Sequence, residues 1–153
     1  MKRHKALYSL SHEHHNGLML AQLVKANSPE YKGLPKTIED KKHYAVKFFE
    51  ENLIPHFKKE EDIFFPSARG KSEKIEKLVE ELIQQPNKID SLIEIIKSSA
   101  QPEVELDELG KLLESHIRKE ERELFQLVQK VFSADELEKL DRDLGSSTNT
   151  CLI

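Results

Sequence analysis

His56-Phe57-Lys58-Lys59-Glu60-Glu61-Asp62-Ile63-Phe64-Phe65 is the stretch that decides the fold, because the chain uses it twice. Sixty residues later, His116-Ile117-Arg118-Lys119-Glu120-Glu121-Arg122-Glu123-Leu124-Phe125 repeats it without a gap. The histidine, the second lysine, both adjacent glutamates and the last phenylalanine are identical in the two copies. An internal repeat of this kind indicates two helical hairpins, each closing with the same His–Glu segment.

The composition favours one helical domain without a nucleic-acid or membrane partner. The 153 residues include only 5 glycines and 6 prolines, which is typical of helices, and the net charge of -4 argues against a nucleic-acid binder. The longest apolar run, 18–21, is far shorter than the roughly 18 residues of a membrane span. The N-terminus lacks the apolar stretch of a signal peptide, and the single Cys151 excludes an internal disulfide. We therefore expect a soluble, cytoplasmic protein.

Apolar periodicity and capping residues predict an all-α, up-down four-helix bundle over residues 1–144, with a short C-terminal extra helix. Residues 145–153 are polar and small, which predicts a flexible tail. A helical piece at 88–98 either stands alone or continues helix 3 past a kink at Pro86. The predicted helices cover about 5–25, 37–65, 72–86, 103–131 and 133–144.

Polar residues interrupt the apolar stripes of three helices. On helix 2, His56 and Glu60 follow Phe49 and Leu53 at the same spacing of three and four residues. Helix 4 repeats this pattern, and the same spacing places a histidine in the stripe of helix 1. A carboxylate buried without a partner costs several kcal/mol, so a cation between the two carboxylates would explain their positions. The polar residues in the three stripes are His14, His56, Glu60, His116 and Glu120.

Spacing within each repeat suits a metal ion. A histidine and a glutamate four residues apart lie about 40° apart around a helix, so both can reach one ion. This favours Glu60 and Glu120 as ligands over Glu61 and Glu121, which should face solvent and are second choices. One such pair alone would more often be a surface contact, but two pairs in repeat register and in phase with the core favour a metal site. On helix 1, His14 lies in the stripe and His15 borders it, so either can be the ligand.

The chain resembles the hemerythrin-like, or HHE cation-binding, family at these segments. Leu10-Ser11-His12-Glu13-His14 is similar to its first-helix signature Leu-x-x-Glu-His, and the repeat resembles its twice-used His-x-x-x-Glu-Glu-x-x-x-Phe-Pro signature. The resemblance covers roughly 7–131. It implies a non-haem di-iron site inside the bundle, in a protein that binds or senses O₂ or handles iron. The ligands that it implies are His14, His56, Glu60, His116 and Glu120.

The sequence departs from the family pattern in helix 3, where the family has one or two histidines. No histidine occurs between Phe57 and Ser115. Glu76 is the nearest replacement, because it lines up with Val79 and Ile83 along the helix. The site is then richer in carboxylates than usual, holds a single metal ion, or is partly degenerate.

Two functions compete on this sequence. The first is a metal-binding domain for iron, or for another divalent metal, that serves O₂ binding or sensing or iron handling rather than catalysis on an organic substrate. The second is a regulatory or protein-interaction bundle with a degenerate site. A ferritin-like ferroxidase is disfavoured, because Leu53 and Leu113 stand where its Glu-x-x-His signature needs glutamate. No serine lies in a glycine-rich elbow, and no phosphate-binding loop is present.

Overall fold

The computed structural model describes the backbone of residues 2–151 and the side chains of residues 2–145. Within this part the chain is all-helical, without strands, and forms five helices. Helix α1 is Tyr8–Val24, preceded by a 3₁₀ turn at Lys5–Leu7. Helix α2 covers 38–68, α3 covers 73–98 with a break after Leu82, and α4 covers 103–131. Helix α5 is Ala134–Cys151.

Three helices begin at side chains that the sequence marks as caps. The Thr37 hydroxyl accepts a hydrogen bond from the Asp40 amide, and the Ser72 hydroxyl accepts one from the Ile75 amide. At α5, the Ser133 hydroxyl accepts from the Glu136 amide at 3.1 Å, while the Glu136 carboxylate accepts from the Ser133 amide at 2.9 Å. These bonds satisfy amide groups that a helix start would otherwise leave unpaired, so they fix where each helix begins.

Helix α3 is interrupted just before its only proline, Pro86. Its two segments are Glu73–Leu82 and Gln85–Ser98, and Ile83 and Gln84 between them keep helical backbone angles. Pro86 has no amide hydrogen to donate to the preceding turn, and its ring crowds the carbonyl four residues earlier. The sequence did not decide whether the piece at 88–98 is a separate helix. In the structure it continues the preceding helix after a break.

Three π-helical turns widen α2 and α4. In α2 they are Phe49–Leu53 and Glu60–Phe64, each followed by a proline within two residues. In α4 the turn is Glu120–Leu124, where no proline follows. The turns at Glu60 and Glu120 begin at the same position of the repeat, so they belong to the repeated segment rather than to the prolines. Such turns often accompany functional sites.

Two apolar cores lie on either side of a polar layer. The lower core contains Leu10, Phe64 and Phe125 and packs against α5 through Leu140. The upper core contains Leu20, Leu53 and Leu113, and the second segment of α3 packs there against α4 through Ile89 and Ile93. In each of α1, α2 and α4, the residues that separate the two cores are the histidines and glutamates of the sequence stripes.

Helices α1 and α4 pack closely. A Cβ atom on Gly110 of α4 would come within 2.6 Å of the Ala21 carbonyl oxygen of α1, so only glycine fits at this crossing. A side chain on Gly17 of α1 would meet the tip of Ile117 at 2.8 Å. This close approach brings the polar residues of α1 near those of α4.

The C-terminal helix is longer than predicted. Helix α5 passes Leu144 and continues to Cys151, and no proline interrupts this stretch. The predicted flexibility of residues 145–153 stays a prediction, because their side chains beyond Gly145 and the backbone of 152–153 lie outside the described residues. In the part of the chain that the structure describes, no helix combines the length and apolar composition needed to cross a bilayer.

Candidate metal centre

Five polar side chains meet between the two apolar cores. They come from three helices and are almost fully buried, with exposed fractions of 0–4%. The contributions are one residue from α1 and a His–Glu pair from each of α2 and α4, and the set is His14, His56, Glu60, His116 and Glu120. These are five of the six ligands predicted from the sequence, and we call them the polar cluster.

All three histidines of the polar cluster turn Nε2 toward the two carboxylates. Glu60 is central, because its Oε1 lies 3.3 Å from His56 Nε2 and 3.7 Å from His116 Nε2, while its Oε2 lies 3.9 Å from His14 Nε2. Glu120 joins two of the histidines, with Oε1 2.6 Å from His116 Nε2 and Oε2 3.5 Å from His14 Nε2. Glu60 thus lies among imidazole nitrogens from three different helices, and Glu120 among those from two.

The outer nitrogen of each of these histidines has an acceptor of its own. His14 Nδ1 donates to Glu121 Oε2 at 2.6 Å, and His56 Nδ1 donates to Glu13 Oε1 at 2.7 Å. The third bond goes from His116 Nδ1 to Gln85 Oε1 at 2.5 Å. An imidazole that donates from Nδ1 carries its lone pair on Nε2 when it is neutral. The three rings therefore aim coordinating nitrogens at the centre of the cluster, as metal-binding histidines do.

The carboxylates of Glu13 and Glu121, which accept from the histidines, are each also bound by a cation. Lys59 Nζ donates to Glu13 Oε2 at 2.5 Å, and this lysine is buried with an exposed fraction of 5%. Arg3 donates to Glu121 Oε1 at 2.9 Å and lies over the Phe125 ring, on which the His14 ring also stacks. The negative charges that orient two of the histidines are thus balanced outside the cluster.

Burial and mutual charge shift the pKa values of the histidines in different directions. Burial lowers the pKa of His14, although its hydrogen bond to Glu121 acts the other way. For His56, burial is outweighed by the Glu60 charge and the bond to Glu13, which raise the pKa to about 10. The charge of Glu120 likewise outweighs burial at His116 and raises its pKa to about 9.

The pKa values of the two buried carboxyl groups shift in opposite directions. Burial alone would raise the pKa of both groups, but the charge of His56 brings the pKa of Glu60 well below its ordinary value. Burial together with the charge of Glu60 raises the pKa of Glu120 well above its ordinary value. Without a metal ion, protons held within the cluster therefore offset the like charges of Glu60 and Glu120, which lie close together.

Glu76, the sixth predicted ligand, lies outside the polar cluster. Its carboxylate pairs with Arg69 and accepts from the Gly70 amide at 3.1 Å, in the connection between α2 and α3. The reason is that Glu76 borders the buried face of α3 near its start, where the connection offers a cation and a free amide. The structure also separates the two candidates on α1, since His14 is buried in the cluster and His15 is exposed.

The periodicity of a single helix did not predict the residues that accept from Nδ1 of the three histidines, or the cations that bind those acceptors. Glu121 is 140° from His116 on its own helix, which indicated solvent, yet it faces His14 of α1. The Leu-x-x-Glu-His signature held a signal for Glu13, but we found no sequence signal for Lys59 or Gln85. Only the packing of neighbouring helices makes them partners of the site.

The polar atoms that face the centre fit a metal ion. Seven buried side-chain atoms have no hydrogen-bond partner among the described residues, namely Nε2 of His14, His56 and His116 and both carboxylate oxygens of Glu60 and Glu120. Buried polar atoms are normally satisfied, so this concentration fits a bound cation that these atoms can share. Two overlapping groups have donor atoms within 4.8 Å of one another: His14, His56 and Glu60, and Glu60, His116 and Glu120.

Fold and site together define a helical metal-binding domain. Residues 5–128 match the hemerythrin HHE cation-binding domain family, and the chain belongs to this family. The match covers all five residues of the polar cluster and confirms the resemblance carried by the repeated His–Glu segment. No curated protein and no solved structure matches the chain significantly.

Proposed function

We propose that the polar cluster is a non-haem di-iron centre and that the domain binds or senses O₂ or handles iron. We also propose that residues 1–144 form a single domain in which helices α1–α4 make an up-down bundle. Helix α5 packs against this bundle at the lower core. His14, His56 and Glu60 would hold one ion, and Glu60, His116 and Glu120 the other, with Glu60 shared. The seven buried atoms without a partner are the observation that carries this proposal.

The donor set favours iron over other metals. Carboxylate oxygens and imidazole nitrogens in a mixed set suit iron or manganese, and there is no thiolate of the kind that selects zinc or copper among these donors. Iron, when bound, supplies one-electron chemistry and a position for a small ligand such as O₂.

The chain itself orients the donors and excludes water. Glu13, Glu121 and Gln85 hold the three imidazole rings with Nε2 inward. Phe64 and Phe125 close the lower side of the cluster, and Phe57 packs edge-on against His116 from the upper core. This apolar surround lowers the local dielectric, so charge on Glu60 and Glu120 attracts a cation more strongly than it would in water.

A degenerate site in a regulatory or protein-interaction bundle is the second candidate. The observation that favours it is that α3 supplies no histidine or carboxylate to the polar cluster. The family pattern would otherwise add ligands there. A cytoplasmic location and O₂ as the small ligand remain predictions from the sequence.

Elemental analysis separates the two candidates. The chain should be produced without a histidine tag in iron-supplemented medium, and its metal content and its optical spectrum in air should be measured. A metal centre predicts iron in stoichiometric amounts with absorption above the protein band. Trace metal after such growth would contradict it and support the degenerate bundle.

A further inference from the structure

Helix α3 touches the polar cluster through Gln85 alone among the described polar side chains. Gln85 Oε1 accepts the bond from His116 Nδ1, although α3 gives the cluster no ligand of its own. The residue is half-buried, as expected for a side chain that reaches inward from the break in the helix.

The fold places Gln85 at the level of the ligands. Leu82, three residues earlier, is fully buried in the lower core, and Ile89, four residues later, is fully buried in the upper core. Positions 82, 85 and 89 lie on one helical face, so Gln85 occupies the point of that face where the two cores meet. The polar cluster lies at the same level between the cores.

The partner of His116 differs from those of the other two histidines. Glu13 and Glu121 are carboxylates, and each is bound by a cation, Lys59 or Arg3. Gln85 is a neutral amide, so it accepts the hydrogen bond without adding a charge that would need a cation. Its Oε1 can only accept, which fixes His116 Nδ1 as the donor and Nε2 as the inward nitrogen.

We propose that Gln85 is a positioning residue through which α3 acts on the metal centre, by holding the His116 ring in the orientation that coordinates an ion. The absence of a histidine in helix 3 is then offset by a contact to a ligand from helix 4. This inference rests on the proposed function, since it concerns the ion held by Glu60, His116 and Glu120. Losing an outer partner of a metal-binding histidine typically lowers metal affinity about 10–100-fold.

The test is a Co²⁺ titration of the full metal-free chain, comparing the wild type with Gln85→Leu and Gln85→Glu. Gln84→Leu is the matched control, because Gln84 is the adjacent residue and is exposed. We expect Gln85→Leu to weaken one Co²⁺ binding step about 10–100-fold, and Gln85→Glu and Gln84→Leu to retain it. Equal affinity in Gln85→Leu and wild type, or an equal loss in every binding step, would overturn the inference.

A second readout does not need the metal. The Nδ1–H proton of His116, observed by NMR in the metal-free chain, should exchange slowly in the wild type and in Gln85→Glu. In Gln85→Leu it should be lost to rapid exchange, and its persistence would overturn the inference. A wild-type chain that takes up no Co²⁺ would overturn the proposed function itself, whereas a wild type that binds beside an unchanged Gln85→Leu would overturn only the role of Gln85.

Discussion

His116 Nε2 lies 2.6 Å from Glu120 Oε1, one helical turn further along α4, yet neither atom completes a hydrogen bond. Both side chains are fully buried. The imidazole uses its other nitrogen for Gln85, so the two facing atoms are left without a partner in the protein. Two groups held this close in a dry environment are stable together only if a proton or a metal ion lies with them.

Replacing His116 by leucine separates a working metal centre from a degenerate one. In metal-free protein, His116→Leu should lower the melting temperature, because the buried carboxyl groups of Glu60 and Glu120 lose a partner that can carry positive charge. Added Fe²⁺ under anaerobic conditions should then stabilise the wild type more than the variant, since His116→Leu removes one of the two groups of donor atoms. Thermal unfolding with and without Fe²⁺ checks this. Equal responses of the two proteins would support the degenerate bundle.

The metal-free protein should lose stability as the pH rises above neutral. The folded pKa values of His56 and His116, about 10 and about 9, lie above the ordinary value of 6.5. Their contribution to stability is therefore fully present below about pH 6.5 and is lost as the pH rises through 9 to 10. At about 1.4 kcal/mol for each pKa unit, the two raised pKa values together set an upper limit of about 8 kcal/mol on this loss.

Urea unfolding of chelated protein at pH 6 and pH 10 measures this effect. The metal-loaded protein is the control, because an ion on Nε2 excludes the proton and should remove this alkaline loss. Stability that is constant or rising over this range in the chelated protein would contradict the pKa shifts.

The buried lysine outside the polar cluster should matter for stability. Lys59→Met leaves Glu13 with His56 alone as a charged partner, and we expect a loss of about 1–3 kcal/mol, less than for a fully buried pair because Glu13 is one-third exposed. Lys58→Met is the matched control, since Lys58 is exposed and pairs with Asp62 on the surface. Urea unfolding of the two variants checks this, and equal stability would show that Lys59 is not needed to balance Glu13.

Glycine at the crossing of α1 and α4 should resist substitution. Gly110→Ala places a methyl group against the Ala21 carbonyl, so the helices must separate, at a cost of about 1–3 kcal/mol. Gly145→Ala is the control, because nothing lies within 4 Å of the added atom and alanine favours the helix by about 0.5–1 kcal/mol. Chemical denaturation should give opposite signs for the two variants. A neutral Gly110→Ala would contradict the close packing.

The sequence predicted the helices and the inward positions more fully than the contacts around them. Helix α4 has the predicted range of 103–131, and the caps at Thr37, Ser72 and Ser133 lie where the side chains indicated. These features depend on the spacing of residues along a single helix, which can be read directly from the amino-acid sequence. The burial of His56 and Glu60 also followed from spacing, because they share the phase of their apolar neighbours.

The spacing of residues along one helix does not predict the contacts between helices. The periodicity of α3 showed that Glu76 borders the buried face, but not that the cluster lies about two and a half turns further along, at Gln85. The height of one helix relative to another depends on the packing of both cores. For the same reason, the roles of Glu121 and Lys59 appear only when α1 is placed beside α4 and α2.

The metal content of Glu60→Gln tests the central claim most directly. Glu60 belongs to both groups of donor atoms, so its loss should remove bound iron altogether, with a larger effect than the loss of any outer partner. Glu61→Gln is the matched control, because Glu61 is the next residue and is exposed. Elemental analysis of the two variants and the wild type, grown alike with added iron, should find iron in the wild type and Glu61→Gln but only background in Glu60→Gln. Equal iron in all three would contradict a metal centre at the polar cluster.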